Sequence, residues 1–99
     1  MIRLIPLIPI LVLLSGCTKE YTPPANASGE DIYHQACMEC HPADSKTGNY
    51  FVIDEKLMHP KYVALKVNRG TIMMPKFPNI KGKAMDNLSA YVLEHSARK

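Results

Sequence analysis

Apolar positions along the chain form one continuous run near the start and three later stretches of helical period. The run covers residues 4–14, broken by Pro6 and Pro9 and preceded by Met1, Ile2 and Arg3. It is too short to cross about 30 Å of hydrocarbon as a helix, which takes about 20 residues. A basic head followed by a short apolar segment is instead the pattern of a secretory signal. The first helical stretch opens at Ser28, a side chain suited to capping, with Asp31 in the first turn near the positive end of the dipole. Ile32, Tyr33, Ala36 and Cys37 then recur on one face. The second runs over 60–69, with Pro60 in the first turn, Tyr62, Val63, Lys66 and Val67 at helical spacing, and Gly70 as its stop. The third runs over 82–96, with Met85, Leu88, Tyr91, Val92 and His95 in one stripe. No segment alternates as a strand would, so the pattern predicts an all-α domain of about three helices joined by loops. Residues 18–27 are polar, contain Pro23-Pro24 and lack apolar periodicity. They read as a semi-rigid tether that reaches roughly 30 Å in polyproline geometry.

Cys37-Met38-Glu39-Cys40-His41 lies at the end of the first helix. Two thiols three positions apart with histidine directly after them form the attachment signature of a c-type haem. Each thiol can add to a porphyrin vinyl group, and the adjacent imidazole is placed to ligate the iron from the proximal side. A thioredoxin-like dithiol calls for a βαβ setting, and a zinc site calls for two more Cys or His at fitting spacing. Neither context is present. The expectation is one covalent haem c held by Cys37, Cys40 and His41.

The apolar run ends in Leu14-Ser15-Gly16-Cys17, which resembles the bacterial lipobox. That resemblance implies cleavage before Cys17 and a lipid on its thiol, with an ordinary signal cleaved nearby as the plainer reading. The chain then divides into a lipoprotein signal over 1–16, a lipidated N-terminus and tether over 17–27 and a globular domain over 28–99. All three cysteines are accounted for, one by lipid and two by haem, and no structural disulfide is expected. Export and haem attachment both place the domain outside the cytoplasm. Thr18 stands where an aspartate would retain a lipoprotein at the inner membrane, which favours the outer membrane on the periplasmic side. Removing 1–16 leaves 83 residues and lowers the net charge from +3 to +2 through loss of Arg3. So small a domain buries little surface by itself, and a central haem would supply the missing core, leaving the apo-protein poorly folded. The modest charge argues against nucleic acid as a partner.

An iron that cycles electrons without binding small molecules needs a second axial ligand. Gly70-Thr71-Ile72-Met73-Met74-Pro75 forms a turn-rich loop in which Pro75 keeps Met74 extended. Spacing alone leaves Met74 and Met73 as competing distal ligands, and either can be a plain core filler. His59, in a His-Pro pair, is a weaker candidate, and His34 and His95 read as helix-surface or packed residues. Tyr50, Phe51, Ile53, Leu57 and Met58 are expected as pocket wall. Lys76, Lys81 and Lys83 either guide an acidic redox partner or are ordinary solvated lysines.

From 28 to 92 the chain resembles a class I cytochrome c domain. Gly29 and Tyr33 stand where that family places a small residue and an aromatic on its first helix. Leu88 and Tyr91 match the crossing positions on its last, and Met74-Pro75 with Phe77 matches its distal-ligand loop. The resemblance implies a small cytochrome c-like fold wrapped around the haem, with Met74 as distal ligand. It departs at Pro42, commonly glycine in the family, and at Lys81, where Ser or Thr usually caps the last helix. The resulting expectation is a membrane-tethered mono-haem electron carrier between redox-partner proteins, not an enzyme, with no small-molecule substrate. The alternatives are a gas-sensing or peroxidase-like haem with a dissociable Met74, and a dedicated electron-transfer subunit of one respiratory complex.

Overall fold

The computed structural model describes residues 18–99; Cys17 and the apolar segment before it lie outside the described residues. Ser28 caps α1 (Gly29–Ala36) by accepting the Asp31 backbone N–H at 3.1 Å, with Glu30 and Asp31 in the first turn. α2 (Pro60–Arg69) begins with proline, whose missing N–H costs nothing there, and stops at Gly70. Gly70 has φ +63, and a side chain at that position would press on the Met74 carbonyl. α3 (Gly82–Glu94) starts at Lys81 with no side-chain cap, so the departure noted at Lys81 is a real absence of capping chemistry.

The three helices stand where the apolar period placed them, and one part of the all-α expectation is corrected. Two short strands, β1 (Phe51–Ile53) and β2 (Ser96–Arg98), pair in parallel with Phe51 opposite Ser96 and Ile53 opposite Arg98. α3 therefore ends before residue 96. Ser96 Oγ donates to the Val92 carbonyl at 2.6 Å, taking the place of a helical N–H, while its backbone turns to the strand. Three-residue strands are too short to display an alternating pattern. A 3₁₀ turn at Glu55–Leu57 connects β1 towards α2.

Residues 18–27, expected as a semi-rigid tether, lie against the domain through main-chain bonds. Thr18 bridges to Lys76, the Lys19 N–H donates to the Lys76 carbonyl at 2.8 Å, and Asn79 Nδ2 donates to the Glu20 carbonyl at 3.1 Å. Ala27 is buried, and its carbonyl accepts from Asn87 Nδ2 at 3.2 Å. Main-chain partners of this kind leave no trace in hydropathy, which is why the segment reads as a linker.

The core is Ile32 and Tyr33 of α1, Val63 and Val67 of α2, Phe77 and Ile80 of the following loop, and Met85, Leu88 and Val92 of α3. Full burial of a side chain such as Ile80 or Leu88 contributes about 1.5–3 kcal/mol. α1 crosses α3 at Gly29, where any Cβ would meet the Asn87 carbonyl and the Tyr91 Cβ. That crossing seats Tyr33, whose hydroxyl donates to the His41 carbonyl at 2.7 Å. The turn after His41 is closed by Asp44, whose carboxylate accepts the Lys46 and Thr47 N–H groups at 2.8 and 3.0 Å.

Two outcomes follow from this packing. Gly29→Ala drives a methyl into backbone and is expected to cost about 1–3 kcal/mol. In thermal unfolding of the haem-loaded protein, that is a fall of about 4–8 °C for each kcal/mol; an unchanged midpoint would show that the helices do not meet this closely. The backbone donors hold the Asp44 carboxyl below the usual carboxylate range. Its stabilising effect is therefore complete above the unfolded value of about 3.9 and fades as pH falls through the native one. The midpoint gap between the wild-type chain and Asp44→Ala should stay constant from neutral pH to about pH 5 and close below about pH 4.

Candidate haem site

A cavity of about 490 Å³ opens between the helices, within the range of about 300–1,000 Å³ usual for cofactor and ligand sites. α1 and the turn after it bring Cys37 and His41 to its wall, α2 brings Val63 and Val67, α3 brings Leu88 and Val92, and the loop after α2 brings Met74. His41 and Met74, far apart in sequence, are thus gathered on one cavity.

The proximal side is built from α1 outward. The chain leaves the helix through a further turn in which the His41 N–H donates to the Cys37 carbonyl at 2.9 Å. The Tyr33 hydroxyl secures the His41 carbonyl from behind, and the Phe51 ring sits 5.0 Å from the His41 ring at a tilt of 53°. Tyr33 stacks on Tyr50 at 4.0 Å, and the Tyr50 and Tyr91 hydroxyls lie 2.7 Å apart. Burial, with smaller effects from Cys37 and the neighbouring phenols, holds the Tyr33 hydroxyl well above the ordinary phenol range, so it remains a proton donor to the His41 carbonyl. Burial is also the main cause that pushes the Cys37 thiol up to about 11, with Cys40 second. Cys37 is half-buried on the wall; Cys40 is exposed and outside the cavity lining.

The distal side rests on a closed turn. The Thr71 N–H donates to the Met74 carbonyl at 2.9 Å, and the Met74 N–H donates to Thr71 Oγ1 at 3.0 Å. This reciprocal pair throws Ile72 and Met73 outward and turns Met74 back to the cavity. Met73 is 92% exposed, whereas Met74 is half-buried on the wall. Asn68 anchors the rest of the loop, its Nδ2 donating to the Phe77 and Ile80 carbonyls at 3.0 and 3.1 Å.

Other expected site residues separate clearly. His59 is an exposed N-cap residue of α2, and His34 is exposed on α1. His95 packs on Tyr91 at 4.2 Å between ring centres, and its Nδ1 meets the Tyr91 carbonyl at 2.8 Å. None of the three lines the cavity. Phe51, Ile53 and Leu57 do form wall, but Tyr50 and Met58 do not. Tyr50 supports Tyr33 and Tyr91 instead. Cys17 lies outside the described residues. Sequence reasoning missed Asn68 and Thr71, which order the distal loop, and Lys66 and Lys99, which line the cavity. A threonine three residues before Met74 and just after Gly70 is the one local signal available, that of a hydroxyl-capped turn.

The residues fit a haem. The wall is predominantly apolar, as a porphyrin face requires, and carries an imidazole and a thioether, the ligand pair of a c-type centre, together with Cys37, one of the two attachment thiols. Lys66, Lys99 and Asp54 also line the cavity, and the two lysines would supply cations for propionate groups.

Neither a curated protein nor a solved structure matches the chain. The family model described as cytochrome C oxidase, cbb3-type, subunit III matches residues 24–92, well over half the chain, with α1, α2 and all but the last two residues of α3. The crossing of α1 on α3, the attachment turn and the distal loop fall within that match: the chain belongs to this family and is a class I cytochrome c domain.

Proposed function

We propose that the protein is a mono-haem electron carrier, anchored by a lipid on Cys17 to the periplasmic side of a bacterial membrane, that passes single electrons between protein partners. Its family assignment gives the coarser part: a cytochrome c domain carries haem c and acts in electron transfer, generally outside the cytoplasm and as a carrier rather than an enzyme. No helix among the described residues is long and apolar enough to cross a membrane. The Leu-Ser-Gly-Cys end of the apolar run supports lipid attachment.

One observation carries the assignment of the axial pair: His41 and Met74 share a single apolar cavity from which Met73 and His59 are absent. In this reading Cys37 and Cys40 would hold the macrocycle by thioether bonds, and His41 and Met74 would supply the two protein ligands to its iron. When bound, the haem supplies a one-electron ferric/ferrous couple. The chain's part is to hold both ligands still across that change. Tyr33 and Phe51 fix the His41 side, while the Thr71 pair and Asn68 fix the Met74 side. A thioether ligand raises the potential relative to a second histidine, and an apolar wall excludes water from the iron.

A second reading, a subunit fixed within a terminal oxidase, is favoured by the description of the matching family. Solubilising native membranes gently and recovering the protein with oxidase subunits in constant ratio selects it; recovery alone selects the free carrier.

The Met74→Ala variant provides the direct test of the axial pair. The unaltered ferrous protein should ignore carbon monoxide. The variant should bind it, shift its visible spectrum and titrate at a lower midpoint potential. Carbon monoxide binding by the unaltered protein would instead favour the gas-sensing or peroxidase-like reading, and an unchanged spectrum in Met74→Ala would remove Met74 as ligand.

A further inference from the structure

The apex of the distal loop is the most exposed apolar feature among the described residues: Ile72 is 102% and Met73 92% exposed, on a turn that the Thr71–Met74 pair holds closed. The N-terminal segment is fastened to the same loop. Thr18 bridges to Lys76, the Lys19 N–H donates to the Lys76 carbonyl at 2.8 Å, and Asn79 clasps the Glu20 carbonyl at 3.1 Å. Cys17 is the next residue before Thr18. The Thr18 backbone lies one strand spacing, about 4.8 Å, from that of Lys76. We propose that the distal loop is a membrane-seating surface: the docked N-terminus holds the lipid beside it, so Ile72 and Met73 enter the headgroup boundary and the Met74 side of the domain faces the bilayer.

This inference rests on Cys17 carrying the lipid and adds the orientation. Interfacial segments settle about 5–10 Å into the headgroup boundary, a depth open to the exposed Ile72 and Met73 once the loop that carries them lies on the surface. Lys19 and Lys76 are exposed at the same edge, where cations meet the anionic headgroups of a bacterial leaflet. A long free tether would allow every orientation, whereas a docked one selects this face. The electron partner would then have to present its own centre at the membrane surface.

The test uses the full-length, lipidated, haem-loaded protein in vesicles of zwitterionic and anionic phospholipid. Cys17, Cys37 and Cys40 are all substituted in that form, so a thiol introduced by Met73→Cys or Thr47→Cys takes a nitroxide label alone. Both positions are exposed, and Thr47 lies in the turn beyond His41, outside the distal loop. An unaltered visible spectrum checks that each variant keeps its site. The expected result is a several-fold lower collision rate with an aqueous nickel chelate, and a higher one with oxygen, for the label at 73 than for that at 47. Equal access to nickel at both positions in protein that floats with the vesicles overturns the seating while leaving the anchor intact. Shielding of the label at 73 only after membrane proteins are restored also overturns it and assigns Ile72 and Met73 to a protein partner. Protein that fails to float overturns the anchor, and this inference with it.

Discussion

The crossing of α1 over α3 at Gly29 is the constraint on which the rest of the site depends. With no side chain at Gly29, the α1 backbone comes down onto the Asn87 carbonyl and the Tyr91 Cβ, closer than any other residue permits. Closeness there sets how deeply α1 lies, and that depth brings the fully buried Tyr33 under the turn carrying Cys37 and His41. The hydroxyl of Tyr33 then converts helix packing into ligand position through one hydrogen bond to a backbone carbonyl. A shift of α1 by even one methyl thickness would pass directly to the His41 ring, because a close-packed interior transmits strain rather than absorbing it.

Helices carry the proximal side, but loops and chain ends complete the enclosure. β1 lends Phe51 and Ile53 to the wall only because β2 holds it, and Lys99, immediately after β2, also lines the cavity. The distal side has no regular structure: it is a turn closed by Thr71 and strapped to α2 by Asn68. Such a division suits an electron carrier. On the proposed reading the rigid helix pair would fix His41, which belongs to the covalent motif, while a turn of few hydrogen bonds would position Met74, held by coordination alone.

What could be read from the sequence follows from what kind of force shaped each part. The three helices were legible because apolar spacing records burial, and Ser28, Pro60 and Gly70 mark their ends with side chains of known capping behaviour. The attachment motif was legible because covalent chemistry fixes its spacing. Met74 was separable from Met73 only weakly, through Pro75; the reciprocal bonds with Thr71 that turn one inward and the other outward join backbone to backbone and to a hydroxyl, and carry no hydropathy. The same blindness hid the β1–β2 pair, too short to alternate, and the docking of residues 18–27. It also misplaced Tyr50, an aromatic that supports the Tyr33 ring instead of lining the cavity.

The C-terminal residue Lys99 lines the cavity, and the N-terminal segment is fastened to the loop that carries Met74. The N-terminal segment pairs with Lys76 on the distal side, and the C-terminal strand pairs with β1 on the proximal side. A domain this small has too little core to hold a large apolar cavity open by helix packing alone. The backbone pairs at its ends add hydrogen bonds where the helices leave gaps, and a bound haem would add the apolar contacts. Wall, cofactor and chain ends therefore stabilise one another.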